Sequence, residues 1–376
     1  MKRTHRLLGA AAVYALAGAA APATAQEINV PVIVPVTGIL AIEGKAQRNG
    51  ALLAIRQATE VKIKHKVIDT GSKPVGAVNA LEKALSDGKV TAVAASLFGP
   101  EMLAMMPIAK EAKVPLLTIS GTAKITELGN PYVFRFFPGD AITKVAHASY
   151  VAKTLGKKKP AIIYQTTAYG QSGRKHLVAN LKKLGVTPVM EEALSFAVKD
   201  MLPVLSKAKK AGADVLVVHL HSGPTALLIK QAAAMGLNLP IVAGSAMHQP
   251  TTAALLKPKE LAGVCAESGS SPVSGGSAAM NAFTAAYKKM FGSAPDAFAL
   301  GAYDAVKMAL KAVKGGAGSA EGVRAALSKM TYKGVAMTYK SDGKGNMAHS
   351  AVIMCYDGNS RVPKIVKRYA NVSGVL

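Results

Sequence analysis

Residues 91–123, TAVAASLFGPEMLAMMPIAKEAKVPLLTISGTA, decide the fold. An apolar run, Ala92 to Leu97, ends in the turn Phe98-Gly99-Pro100. A helix-period segment, Glu101 to Ala112, follows, and a second apolar run, Pro115 to Ile119, ends in Ser120-Gly121-Thr122. Two apolar runs separated by one helix form a βαβ unit of a parallel sheet. In such a unit both strands end on the same sheet edge, so the two turns come together there. Open α/β sheets bind their ligands at that edge.

The chemistry of the turns suits a small polar ligand. Gly99 followed by Pro100 reads as a cap and first-turn proline, leaving the first helical amides free to meet a carboxylate. Ser120 and Thr122 add hydroxyl groups, and Phe98 adds an apolar wall. The same residue types also suit an ordinary strand-to-helix turn.

Outward from this unit the pattern repeats. Upstream, Ile28 to Val36 reads as a strand broken by prolines. The loop Thr37 to Gly44, the helix Lys45 to Ala58 and the edge strand Val61 to Asp69 follow, and then a helix to Asp87. Downstream, Tyr132 to Phe137 is extended and runs into Pro138-Gly139-Asp140, a first crossing into a second lobe. There the alternation restarts with strands Ala161 to Tyr164, Val215 to His219 and Ile241 to Ala243, each separated from the next by helical segments. Three long helical segments between Ala278 and Met330 and short strands near the end complete the chain. The expectation is α/β: two doubly wound parallel-sheet lobes joined by a three-crossing hinge. The first lobe comprises 26–138 plus 270–332, and the second 139–269 plus 333–376.

The first six residues carry Lys2, Arg3 and Arg6, an apolar stretch runs from Leu7 to Ala21, and Ala23-Thr24-Ala25 follows. This pattern predicts a signal peptide, residues 1–25, cut after Ala25, and an exported chain. Removing 25 residues from 376 leaves 351, too many for one core and enough for two lobes. The formal charge of +25 falls to +22 without the three leader cations. The longest basic run is Lys157-Lys158-Lys159, and no basic stripe is interleaved with aromatics, so nucleic acid is not the expected partner. A basic surface that recruits small anions is. Cys265 and Cys355 could pair in an oxidising compartment, although sequence does not place their Cβ atoms.

Catalytic motifs are missing: the chain has no G-x-S-x-G, H-E-x-x-H, phosphate loop or G-x-G-x-x-G. Gly315-Gly316-Ala317-Gly318 follows a helix rather than a strand. No enzyme activity, no cofactor and no metal is therefore expected. His219 and His221 on one strand end, with His248 nearby, could hold zinc, donate to a ligand through His221, or simply pack.

Pro35-Val36-Thr37-Gly38, Gly129 to Arg135, Ala168-Tyr169-Gly170, Leu228-Ile229-Lys230-Gln231 and Ala302-Tyr303-Asp304-Ala305, taken in order, resemble the leucine/isoleucine/valine-type periplasmic solute-binding proteins of ABC importers. The resemblance implies a type I periplasmic binding fold whose cleft closes on one small carboxylate or amino acid. It also implies a periplasmic chain, expected to be a monomer, that delivers its ligand to an inner-membrane ABC permease. Carried over, the family's first-lobe serine pair falls on Phe98 and Gly99, its second turn on Ser120-Gly121-Thr122, and its ligand-facing tyrosine on Tyr169. The family's second-lobe acid, which pairs with a ligand ammonium, is matched by Ser245. Losing that acid disfavours an α-amino acid. Glu43, at a first-loop position usually aromatic in the family, either restores the charge from the opposite lobe or is a solvent-facing loop residue. The ligand-contacting set is thus Glu43, Phe98, Gly99, Ser120, Thr122, Tyr169, His221 and Ser245. The ligand is a branched-chain amino acid or an apolar or aromatic carboxylate. A sensing subunit that reports the same ligand to a signalling system is the alternative role.

Overall fold

The computed structural model describes residues 27–372, so the expected leader and its cut after Ala25 lie outside the described residues. Two sheets organise the chain. The first has five strands in the spatial order Val67–Asp69, Val32–Val34, Val93–Ala95, Leu116–Thr118, Val133–Arg135, all parallel. The second has seven: Lys364–Tyr369, Ala351–Cys355, Val264–Ser268, Ile241–Ala243, Val215–His219, Pro160–Gln165, Met190–Leu194. Five of these are parallel, Ala351–Cys355 runs against them, and Lys364–Tyr369 runs against Ala351–Cys355.

Parallel strands carry helices on both faces, and their sequences are apolar on both sides for that reason. In the first sheet Val32, Val34, Ala94 and Leu117 point into one core with the helices Ala41–Arg56 and Ala297–Lys314. The alternate residues Ile33, Val93, Ala95 and Leu116 point into another with Pro74–Ser86 and Gly99–Glu111. The second sheet is likewise sandwiched between two separate clusters. Four cores on two sheets give two lobes.

The chain crosses between the lobes after Val133–Arg135, through residues 136–139, and returns after Val264–Ser268, through 269–276. The stretch 333–348, expected in the second lobe, packs instead with the first. Its hairpin of Thr331–Lys333 and Thr338–Lys340 is tied to helix Ala297–Lys314 because the Asp304 carboxyl accepts the N–H groups of Val335 and Ala336 and the Tyr339 hydroxyl. Tyr339, Met347 and Ala348 are buried in the first lobe's core. The last crossing therefore falls just before Ala351.

Other differences are local. Pro31 separates Glu27–Asn29 from Val32–Val34, and the expected edge strand Val61 to Asp69 breaks into Lys62–Lys64 and Val67–Asp69 to follow it. Met190–Leu194 and Lys364–Tyr369 were not expected as strands. Both lie at sheet edges, where charged residues on the open face dilute the apolar signal.

Cys265 and Cys355 stand opposite each other in the antiparallel register and form a disulfide across 90 residues of chain. Replacing both with serine is expected to lower unfolding stability by about 2–3 kcal/mol, chiefly by freeing the unfolded chain. Guanidinium denaturation of native and double-serine chains checks this, and an unchanged midpoint would contradict it.

Candidate functional site

Glu43, Phe98, Gly99, Tyr169, His221 and Ser245 converge on one cleft between the lobes, together with Leu97, Gly121, Ala246 and Phe298. The space between them that no atom fills amounts to ≈ 350 Å³, counting its open mouth. Both turns of the opening stretch reach this cleft, as a shared sheet edge requires. Four of the ten lining residues carry aromatic rings, so the walls are flat and apolar.

The first-lobe wall is made by the turn Phe98-Gly99-Pro100. Phe98 caps the helix Gly99–Glu111 with extended backbone, and its N–H is held by Ser96 Oγ at 3.0 Å. Ser96 Oγ in turn donates to the buried Glu101 carboxyl at 2.5 Å, which fixes the turn from behind. Gly99 is required by packing, since a Cβ there would lie 2.2 Å from Thr122 Oγ1. Ser120 and Thr122 are buried beside the cleft rather than on its lining, and the hydroxyls of both lack a hydrogen-bond partner. Buried hydroxyls without partners are uncommon and costly unless a ligand or water completes them.

Glu43 is not in a loop. The helix starts at Ala41, which puts Glu43 in its first turn, where the helix dipole favours a carboxyl group. It is 2% exposed, which overturns the solvent-facing reading. Its Oε1 lies 3.1 Å from the Ser222 N–H and 2.5 Å from Ser222 Oγ, across the cleft in the second lobe. Burial raises its pKa, and this outweighs its contacts with Ser222.

Two further bonds join the lobes. Ser172 Oγ accepts the Ala123 N–H at 2.9 Å, and Gln249 Nε2 donates to Asp296 Oδ2 at 2.6 Å. The His248 ring adds a third, accepting the Ala297 N–H on Nε2 at 3.0 Å and donating through Nδ1 to Ser245 O. Both roles together fix the neutral tautomer of His248. The lobes are therefore closed on each other.

The second-lobe wall is Tyr169, His221 and Ser245. The Tyr169 hydroxyl lies 3.1 Å from Ser245 Oγ, and its ring lies 5.0 Å from the His221 ring. His221 Nε2 is 3.2 Å from Thr167 Oγ1, and burial pushes its pKa down to about 3, so the ring is neutral.

Behind Tyr169 sits a buried ionic cluster. Asp140, His219 and Glu267 present ligand atoms within 4.8 Å of one another, but Lys144 is already the cation there. Its Nζ bonds Glu267 and lies 3.8 Å from Asp140, and His147 Nδ1 lies 3.0 Å from Glu267. Burial opposes ionisation of Glu267, yet the Lys144 ammonium and His147 hold its pKa down at about 2. Asp140 is pushed up to about 7 by burial, against the pull of Lys144. The three histidines of the sequence reading thus go to separate partners, with His219 Nε2 3.2 Å from Tyr169 O.

The family model described as periplasmic binding protein matches residues 27–359. The chain belongs to the periplasmic binding protein family. This periplasmic binding protein is 28% identical over 245 residues to the leucine-, isoleucine-, valine-, threonine- and alanine-binding protein of Pseudomonas aeruginosa, a match covering 63% of the chain and 65% of that relative. The chain thus spans somewhat less than two thirds of that relative's length. Its fold is similar to a leucine-binding protein from Thermotoga maritima, with a TM-score of 0.83, 23% identity, and coverage of 91% of this chain and 99% of that one. It is also similar to a solute-binding protein of an ABC transporter from Rhodopseudomonas palustris in complex with 3,4-dihydroxybenzoic acid, with a TM-score of 0.82, 24% identity, and coverage of 93% and 99%. The fold is that of type I periplasmic binding proteins. The relatives are solute-binding proteins, not enzymes. Among the described residues no helix is long and apolar enough to cross a membrane.

Four lining residues lay outside the expected set: Leu97, Gly121, Ala246 and Phe298. Gly121 stands inside a turn that was singled out, and Leu97 and Ala246 are neighbours of expected residues. Phe298 could be found only from the fold, because helix Ala297–Lys314 returns to the first lobe from a distant part of the chain.

Proposed function

We propose that this protein is the exported, monomeric receptor of an ABC importer, capturing one small carboxylate-bearing ligand between its lobes and presenting the closed shape to an inner-membrane permease. The observation that carries this reading is the closed cleft itself: aromatic walls from both lobes, joined by hydrogen bonds that exist only when the lobes meet. A ligand touching both walls favours the closed state over the open one, and the population shifts accordingly. The amides at the start of helix Gly99–Glu111 have no acceptors within the helix and suit a carboxylate, as do the unpartnered hydroxyls of Ser120 and Thr122. The relatives support the class of ligand, since one is named for branched-chain and small amino acids and another was solved with an aromatic acid.

A thermal-shift panel of leucine, valine, benzoate and 2-keto acids, paired with solution scattering, tests the proposal. A ligand at a hundred times its Kd is expected to stabilise the closed protein by about 2.7 kcal/mol, with a smaller radius of gyration. A flat response in both measurements across the panel would overturn the receptor reading.

A further inference from the structure

We propose that the cleft takes aromatic carboxylates that carry no ammonium group, because its carboxyl group, Glu43, acts as a proton donor in the chain of bonds that ties the lobes together. This rests on the receptor reading and narrows it. Gln249 turns its amide nitrogen toward Asp296 Oδ2, at 2.6 Å. The Gln249 carbonyl oxygen then faces Ser222 Oγ at 2.9 Å. Two oxygens at that distance need a proton between them, and the Ser222 hydroxyl is the group that has one. Ser222 Oγ also lies 2.5 Å from Glu43 Oε1. Its single proton cannot serve both contacts, so the proton in the second comes from Glu43, which is therefore the neutral acid.

The surroundings agree. Asp296, capping helix Ala297–Lys314, is the charged group whose field acts on Glu43, and its sign also favours the protonated form. The titratable groups that close around the cleft from the second lobe are His221, ahead of helix Ser222–Ala234, His248 and Tyr169, with Asp140 behind the Tyr169 ring and beside Gly121. The first three are uncharged, with burial lowering the pKa of the histidines and raising that of the tyrosine. Asp140, pushed up to about 7 by burial, titrates in the same range, so the loss of the pH dependence in Glu43→Gln is what assigns it to Glu43. A ligand ammonium would enter a cleft lined by no ionised acid, and Ser245 offers only a hydroxyl. Desolvating an ammonium without a counter-ion is costly. The rings of Phe98, Tyr169, His221 and Phe298 instead favour a flat aromatic body.

The sign of the pH dependence separates the two ligand classes. A group whose pKa rises on closing takes up a proton, so affinity is full at low pH and falls as pH rises through the closed-form value, by up to tenfold per unit. A ligand ammonium paired with an ionised Glu43 would show the opposite slope.

Calorimetric titration of the native chain with benzoate, 3-phenylpropanoate, L-phenylalanine and L-leucine between pH 5.5 and pH 8 tests this. These probes keep a constant charge over that range. The desamino acids are expected to bind at least tenfold more tightly than the amino acids, with benzoate affinity falling at least tenfold toward pH 8. Buffers of different ionisation heat should report uptake of about one proton. Glu43→Gln, whose amide donates without titrating, is expected to flatten the profile and to bind benzoate at least tenfold more tightly than the native chain at pH 8. Tighter binding of leucine or phenylalanine, weakening toward acid and lost in Glu43→Gln, would overturn the proposal and leave the receptor reading intact. No binding of any probe, with unchanged scattering, would overturn both.

Discussion

Replacing Lys144 with methionine is expected to cost about 3–5 kcal/mol of unfolding stability, the range for removing one partner from a buried ion pair. Lys144 is fully buried, its ammonium bonds Glu267, and Asp140 lies 3.8 Å away. Those two carboxyls sit at the hinge: Asp140 directly follows the first crossing, and Glu267 is next to the last residue of the strand that enters the second. Without the ammonium, two acids remain buried with His147 and His219 as neighbours. The deficit should be greatest near neutral pH. In the native chain the pKa of Glu267, lowered to about 2, contributes stability that is present above the ordinary carboxyl range and lost as pH falls toward 2. The variant lacks that contribution, so the two unfolding curves should draw together as pH falls from about 4.5 toward 2. Adding Glu267→Gln to Lys144→Met should recover a large part of the loss. Urea titrations at pH 7 and about pH 2.5 measure both effects, and a loss under 1 kcal/mol at pH 7 would show that the cluster does not hold the hinge.

The fold was legible where periodicity is strong. Doubly buried strands such as Val93–Ala95 and Leu116–Thr118 are apolar runs bounded by Gly, Ser and Pro, and the helix between them follows from the same stretch. The edge strands Met190–Leu194 and Lys364–Tyr369 were illegible because charged residues, Glu191 and Glu192 in one and Lys364, Lys367 and Arg368 in the other, break the apolar pattern. The last crossing was misplaced for a different reason. Asp304 looks in sequence like part of a helix face, and its role in binding the amides of Val335 and Ala336 is a tertiary contact that no local pattern announces. Phe98, Gly99 and His221 stand at strand ends, which topology brings to one edge, whereas Tyr169 and Ser245 were reached through the family resemblance. The bonds between lobes could not. Ser222, Gln249 and Asp296 are ordinary cap and turn residues until the two halves meet.

That meeting is the basis of the second large effect: Gly121→Val is expected to weaken ligand binding a hundredfold or more while leaving each lobe folded. Gly121 belongs to the first-lobe turn and lines the cleft. A Cβ placed on it would lie 3.0 Å from Tyr169 Cε2 and 3.3 Å from Asp140 Oδ1, both in the second lobe. The two further methyl groups of valine leave no room for the Tyr169 ring, whose position is set by Ser245 on one side and the His219 ring, 3.9 Å away, on the other. The clash exists only in the closed form, because opening withdraws Tyr169 from the turn. A substitution that penalises one of two states shifts the population toward the other, and apparent affinity falls by the fraction of closed-competent molecules lost. Solution scattering should therefore show the variant remaining extended at ligand concentrations that compact the native chain, with far-ultraviolet circular dichroism unchanged. Native-like affinity in Gly121→Val would mean that ligand capture does not need this contact between the lobes. The closed arrangement would then not be the state that binds.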